Sequence, residues 1–408
     1  MTASNDTARP LIPLYLAGFT SAFGAHGVAS VLGAESADLG LTLLGLGAIL
    51  ALYDLAEVVL KPVFGALSDR IGAKPVIIGG LIAFAAASLL ALLSASPAML
   101  ALARLGQGAA ASAFSPASSA AVARLAGKER LGRYFGRYGA WKSLGYVLGP
   151  LIGIALTGWF GIQSLYLALA LFALAAAVWV SRGLPALPPA PRQRSTLRDL
   201  ARQVTARGFL LPTLLMAMTT AVLGVAVGFL PLLAVRLELH PLTGAAAVAL
   251  LALTSTAAQP VIGRLHDEGR LRTATGSAVG MALAAVGLTL LAFWPNAVTL
   301  FAATLAFGVM TGTLTPLAFA HLAATTPEER MGRTMGSAEM GRELGDAGGP
   351  LLVGALATLW TLPAALLTLA GLSAVAGAAG WSGLRRDDDG DPRPADRPAE
   401  RRHPSPTT

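Results

Sequence analysis

Three charges stand in "YDLAEVVLKPVFG" (53–65), inside a stretch apolar enough to enter lipid: Asp54, Glu57 and Lys61. At about 100° per residue they fall within roughly a 60° arc of a helix. A charge deep in a bilayer costs at least ~2.5 kcal/mol on insertion scales, so it faces protein or water and has a partner. Glu57 and Lys61 are four apart and can pair within the helix. A second set, Glu339, Arg342, Glu343 and Asp346, stands in "SAEMGRELGD" and spans roughly a 100° arc by the same spacing. This chemistry is charge pairing and proton carriage. Lys61 can meet Glu339 or Glu343, and Arg342 can meet Asp54 or Glu57. Three readings stay open: a static salt-bridge seam, a pairing that changes as one carboxylate takes a proton, and direct binding of substrate or cation. Asp54 is the deepest of the first set and the leading proton carrier.

Other polar residues in apolar stretches join these sets. Arg104 shares a helical stripe with Gln107, Gly108, Ala111 and Ser115. Lys142 lies on the face that also presents Gly145, Gly149 and Gly153. It can pair with an acidic residue, bind an anion or snorkel to the surface. His26 can titrate near physiological pH or simply pack. Metal ligation is not expected, because the chain has no Cys and no paired His-rich helix. The G-x-x-x-x-G-K-[ST] phosphate loop is absent, so an ATP-driven pump is unsupported. No catalytic set points to an enzyme, and no cofactor is implied.

The elements that carry these residues are membrane helices. The 408-residue chain is 54% hydrophobic and 13% charged, with mean hydropathy +0.64; soluble domains carry about 25% charged residues. The net charge of +8 does not read as a nucleic-acid footprint, because the arginines punctuate apolar segments and form no single basic face. Twelve segments are long enough to span: 11–33, 41–67, 74–96, 99–125, 135–158, 160–182, 209–235, 243–265, 274–294, 297–323, 334–359 and 361–384. Connections after the even-numbered segments hold Arg70 and Lys74, Lys128, Arg130 and Arg133, the basic stretch 192–207, Arg270 and Arg272, and Arg330 and Arg333. Those after the odd-numbered segments hold none except Arg236, so both termini are expected to be cytoplasmic. The expected organisation is a six-helix bundle over 1–182, a cytoplasmic linker over 183–208, a second bundle over 209–384 and a disordered tail over 385–408.

The halves repeat each other. "KPVFGALSDRIG" matches "QPVIGRLHDEG", with Pro62, Gly65, Leu67 and Asp69 recurring 198 residues later as Pro260, Gly263, Leu265 and Asp267. "GKERLGR" matches "PEERMGR", Gly149-Pro150 matches Gly349-Pro350, and Lys142 matches Arg342, all at 200. Parallel six-helix repeats point to a transporter whose halves rock about a central site.

Over about 11–384 the chain resembles the major facilitator superfamily. "GALSDRIGAK" (65–74) resembles the family's motif G-x-L-[SA]-D-R-x-G-R-[RK], with Gly65, Leu67, Ser68, Asp69, Arg70, Gly72 and Lys74 matching and Ala73 departing. "RLGQGAAA" resembles R-x-x-Q-G-x-G, and "GYVLGPLIG" resembles G-x-x-x-G-P-x-x-G-G, each short of one Gly. The last motif is characteristic of proton-driven antiporters, drug exporters especially. The resemblance implies two pseudo-symmetric bundles in the inner (plasma) membrane, working as a monomer on a small molecule and driven by protons without a cofactor. It implies a proton-coupling role for Arg104 and a gate in which Asp69 caps the eleventh helix. Asp267, lacking the following Arg, is expected to do less. Gly145, Gly149, Pro150 and Gly153 read as bends and close contacts. The rival readings are a metabolite or organic-anion carrier using Lys142, Arg104 and Arg342, and a membrane receptor or scaffold that moves no solute.

Overall fold

The computed structural model describes residues 11–34, 41–93, 96–189, 205–240 and 242–390. Twelve long helices run through them. The first six are α1 (Ile12–Ala34), α2 (Leu43–Ile71), α3 (Ala73–Leu92), α4 (Pro97–Ala126), α5 (Leu131–Phe160) and α6 (Ile162–Gly183). The second six are α7 (Arg207–Arg236), α8 (Leu242–Asp267), α9 (Thr273–Phe293), α10 (Ala297–Thr325), α11 (Met331–Leu359) and α12 (Leu362–Gly390).

Local signals set the ends. Thr42 accepts a hydrogen bond from Gly45 N at 3.0 Å, and Asn296 and Thr299 form a capping box at the start of α10. Gly72 takes φ 94°, which turns α2 into α3 with no intervening loop. Several helices outrun their expected spans, because hydropathy locates the part in lipid and not the helix end. α12 continues to Gly390, with Arg385 over the Trp381 ring at 5.7 Å, so the tail does not begin at 385 as expected. The basic linker stretch 190–204 and the tail 391–408 lie outside the described residues.

Nine of the twelve are long and apolar enough to cross a membrane by length and composition; α2, α4 and α11 are not among them. Their polarity faces inward. Arg104, Gln107, Ser115 and Ser119 of α4 are buried, as are Glu57 and Lys61 of α2 and Glu339 and Glu343 of α11.

Each packing pair of the first half recurs in the second. α1 packs on α5 as α7 packs on α11, α2 on α4 as α8 on α10, and α3 on α6 as α9 on α12. The halves meet along two matched seams, α2 with α11 and α5 with α8. Three pairs of prolines within helices follow the same rule: Pro62 and Pro260, Pro116 and Pro316, Pro150 and Pro350. A large core forms in each half, the first around Phe23, Phe84 and Phe114, the second around Val222, Met281 and Phe307.

Candidate functional site

Lys61 is the hub of the α2–α11 seam. Gly336 lies against the Lys61 backbone carbonyl, so the two helices approach closely. The Lys61 ammonium, 1% exposed, stands 2.7 Å from Glu343 Oε1, 3.2 Å from Glu57 Oε1 and 3.6 Å from Glu339 Oε2. Glu339 is fully buried and accepts hydrogen bonds from Ser115 and Ser119 of α4, both at 2.6 Å. Lys142 of α5 reaches the same carboxylate at 4.0 Å and donates to Ser115 Oγ at 3.3 Å. Arg342 pairs with Glu343 at 2.5 Å and donates to the Tyr146 hydroxyl at 2.6 Å. Three cations and three carboxylates form one continuous network, which offsets the cost of placing each in a poor solvent for charge.

The pairing of Lys61 with Glu339 and Glu343 is as the sequence suggested. That of Arg342 with Asp54 or Glu57 is not. Tyr146 and the adjacent Glu343 hold the guanidinium instead. Ser115, Ser119 and Tyr146 were not singled out as partners; Ser119 lies one turn beyond Ser115 on the Arg104 stripe.

Asp54 and Asp346 have no hydrogen bond or ion pair among the described residues. They line one cavity from α2 and α11. Arg104, 2% exposed, donates to Gln107 Oε1 at 3.1 Å and lies 4.3 Å from the centre of the Tyr53 ring. Its Nε has no partner, and Gln107 in turn donates to Ser88 at 3.0 Å. The Arg104–Gln107 bond is within α4. His26 meets Tyr146 edge-on at 4.2 Å between ring centres.

Two adjoining chambers share His26, Asp54, Tyr146, Glu343 and Asp346. The first, about 160 Å³, is charged: Glu57, Arg104, Lys142 and Arg342 also line it. The second, about 220 Å³, is walled by Leu223, Val227, Val248 and Leu251, and no Lys or Arg among the described residues lines it.

Below the chambers, at the end where α1 starts and α12 finishes, the halves are clamped. Asp69 accepts from Gly332 N at 2.7 Å and Arg333 N at 2.9 Å, capping α11. Asp267 accepts from Gly132 N and Arg133 N, both at 2.8 Å, capping α5 in the same way. The carboxylates complement the positive helix ends. In these bonds Asp267 matches Asp69, because both sets are made by the carboxylate, although Glu268 follows it where Arg70 follows Asp69. Arg70 is exposed, and Lys74 donates to Leu184 O at 2.7 Å, anchoring the start of the linker. Gly145 and Gly149 bring α5 against the Phe19 and Phe23 carbonyls of α1, and Gly153 faces Val31 and Gly27. Pro150 lines the apolar chamber.

Asp69→Asn and Asp267→Asn should each weaken this closure by about 1–2 kcal/mol, since one of two N–H bonds and the helix-end charge are lost. Spin-label distances between α2 and α11 at that end would lengthen in both variants, and more in the double variant. An effect of Asp69→Asn alone would count against the symmetric clamp.

The model of the Major Facilitator Superfamily matches residues 14–298 and 214–407. Among curated proteins, the chain is 39% identical over 104 residues to a triacylglyceride transporter of Mycolicibacterium smegmatis (26% of this chain, 19% of that protein). It is 35% identical over 138 residues to the inner membrane transport protein YajR of Escherichia coli (33% and 30%). It is 30% identical over 145 residues to the quinolone resistance protein NorA of Staphylococcus aureus (36% and 37%). The matches thus span well under half the length of these relatives. Among solved structures, the human organic anion transporter MFSD10 gives TM-score 0.78 at 18% identity, covering 92% of this chain and 100% of that one. The Major Facilitator Superfamily transporter FucP in the outward conformation gives 0.77 at 15%, covering 93% and 99%. At these identities the likeness is one of fold.

Proposed function

The chain belongs to the major facilitator superfamily, and from that premise we propose that it is a proton-coupled exporter of small lipophilic organic molecules, cations above all, working by alternating access. It is a multi-pass membrane transporter and not an enzyme. The observation that carries the finer reading is the apolar chamber, which has Asp54, Glu343 and Asp346 in its lining and, among the described residues, no Lys or Arg.

Glu343 is already held by Lys61 and Arg342. Asp54 and Asp346 are available, and either a proton or a cationic substrate can neutralise them. Two ligands that compete for the same carboxylates exclude each other, so binding one releases the other. The name of the NorA relative, a resistance protein, supports the outward direction. With both termini cytoplasmic, the Asp69 and Asp267 caps close the cytoplasmic end and the chambers face outward. The chain works as a monomer in this reading, with a six-helix bundle either side of the 183–208 linker. The anion-carrier alternative loses force, because Lys142 and Arg342 are engaged with Glu339 and Glu343.

The test is binding of tetraphenylphosphonium, a lipophilic cation, to the purified chain, with flux in proteoliposomes under an imposed pH gradient. Affinity should fall as pH falls, because protons displace the cation. Asp346→Asn should flatten that dependence. Binding indifferent to pH, with no gradient-driven flux, would overturn the reading.

A further inference from the structure

The charged cluster has a neutral twin. By the repeat spacing, Glu57 and Lys61 of α2 correspond to Ser255 and Gln259 of α8 at 198, and Gly139 and Ser143 of α5 correspond to Glu339 and Glu343 of α11 at 200. The structure keeps the correspondence in space. Gln259 Nε2 donates to Ser143 Oγ at 2.7 Å and to Ser255 Oγ at 3.1 Å, where Lys61 holds Glu343 and Glu57. Both amide protons are therefore engaged. The two serine oxygens lie 3.4 Å apart, so one serine can donate to the other, but not both at once. Neither donates to a backbone carbonyl among the described residues. With the amide so oriented, at least one hydroxyl proton has no acceptor among the described residues, Gln259 Oε1 likewise lacks a partner there, and both serines line the apolar chamber.

Thr311 of α10 joins them in that lining. It is 6% exposed, and its Oγ1 has no partner among the described residues. Helical threonines commonly donate to the carbonyl four residues back. Thr304 and Thr313 of the same helix do so, at 2.8 and 2.7 Å, and Thr311 does not. A buried hydroxyl left unpaired is costly unless something completes it.

We propose that Ser143, Ser255 and Thr311 form a subsite for an uncharged hydrogen-bond acceptor on the substrate, a carbonyl or ether oxygen. This deepens the proposed function and rests on the apolar chamber being the substrate site. The substrate class is then a lipophilic cation that also bears such an oxygen. The duplicated seams divide the work: the charged seam answers to protons, and its neutral twin recognises a group whose binding no proton alters.

The test uses isosteric probes on the purified full chain, with affinities from equilibrium dialysis. Wild type should bind para-acetylbenzyltrimethylammonium about five- to tenfold more tightly than para-isopropylbenzyltrimethylammonium, the effect of one buried neutral hydrogen bond. Thr311→Val should cut the preference by at least half without lowering the melting temperature, Thr311→Val/Ser255→Ala should bring the two to equal affinity, and Thr311→Ser should restore the preference. A preference undiminished by Thr311→Val, or a loss shared equally by both probes, would overturn the subsite. The carbon isosteres para-neopentylacetophenone and para-neopentylcumene separate this from the charge reading. If they alone bind, and with a Thr311-dependent preference for the ketone, the carboxylate reading fails and the subsite stands. If neither pair favours the ketone, the subsite is wrong.

Discussion

Glu339→Gln should be among the most destabilising single substitutions in the bundle, lowering unfolding stability by about 3–5 kcal/mol, the usual cost of breaking a buried ion pair from one side. The carboxylate is 0% exposed and receives Lys61, Lys142, Ser115 and Ser119. Lys61 keeps Glu57 and Glu343 when Glu339 is neutralised. Lys142 keeps only the Ser115 hydroxyl and the Tyr138 ring face, 5.7 Å from its ammonium. Most of the loss therefore belongs to the stranded Lys142. The double variant Glu339→Gln/Lys142→Met removes both charges and should recover more than half of it, since an ion pair replaced on both sides is often close to neutral. Denaturant unfolding of the purified protein checks both. A Glu339→Gln variant as stable as wild type would mean that Glu339 already holds a proton and the network carries one charge fewer.

Asp54→Asn should do the opposite: leave the fold as stable as before and abolish proton-driven transport. Asp54 makes no hydrogen bond or ion pair among the described residues and lines both chambers, so its amide replacement strands nothing. Substrate flux in proteoliposomes with an imposed pH gradient should fall to the leak rate, while equilibrium binding persists at reduced affinity through Asp346. Glu343→Gln should differ in kind, losing stability first, because Lys61 and Arg342 both depend on it. If Asp54→Asn keeps normal gradient dependence, the proton site lies at Asp346 or His26.

What the sequence disclosed follows from what periodicity encodes. The twelve helices, the duplication and the charged faces of α2 and α11 were all legible, because helical spacing and repeat offset are one-dimensional facts. The partners of Lys61 were legible too, since few carboxylates share its depth. Arg342 was misassigned because its partner Tyr146 comes from α5, across the fold, and an uncharged phenol gives no depth signal. Glu57 was read as a partner for Lys61 and Asp54 as the leading proton carrier; both line the charged chamber, but Glu57 is buried against Lys61 while Asp54 has no hydrogen bond or ion pair among the described residues, a difference that only the packing of α11 decides. The neutral twin was within reach, since the offset that relates Asp69 to Asp267 also relates Lys61 to Gln259. A serine and a glutamine draw no attention until their charged counterparts are seen in contact.

The clamped end closes on bare backbone. Gly65 rests on the Gly332 carbonyl, Gly263 on that of Gly132, Gly136 on that of Gln259 and Gly336 on that of Lys61. Side chains that interdigitate must withdraw knobs from holes before two surfaces part. Here there are few knobs to withdraw. Where backbone meets backbone the surfaces can part without unmeshing side chains, and what holds them is the N–H bonds to the two aspartates together with the Lys61–Glu343 pair and the Phe135–Phe319 stack. A Cβ added at any of these glycines would stand well inside contact distance of a partner carbonyl oxygen and could fit only if the two helices moved apart, so it would weaken the clamped state itself.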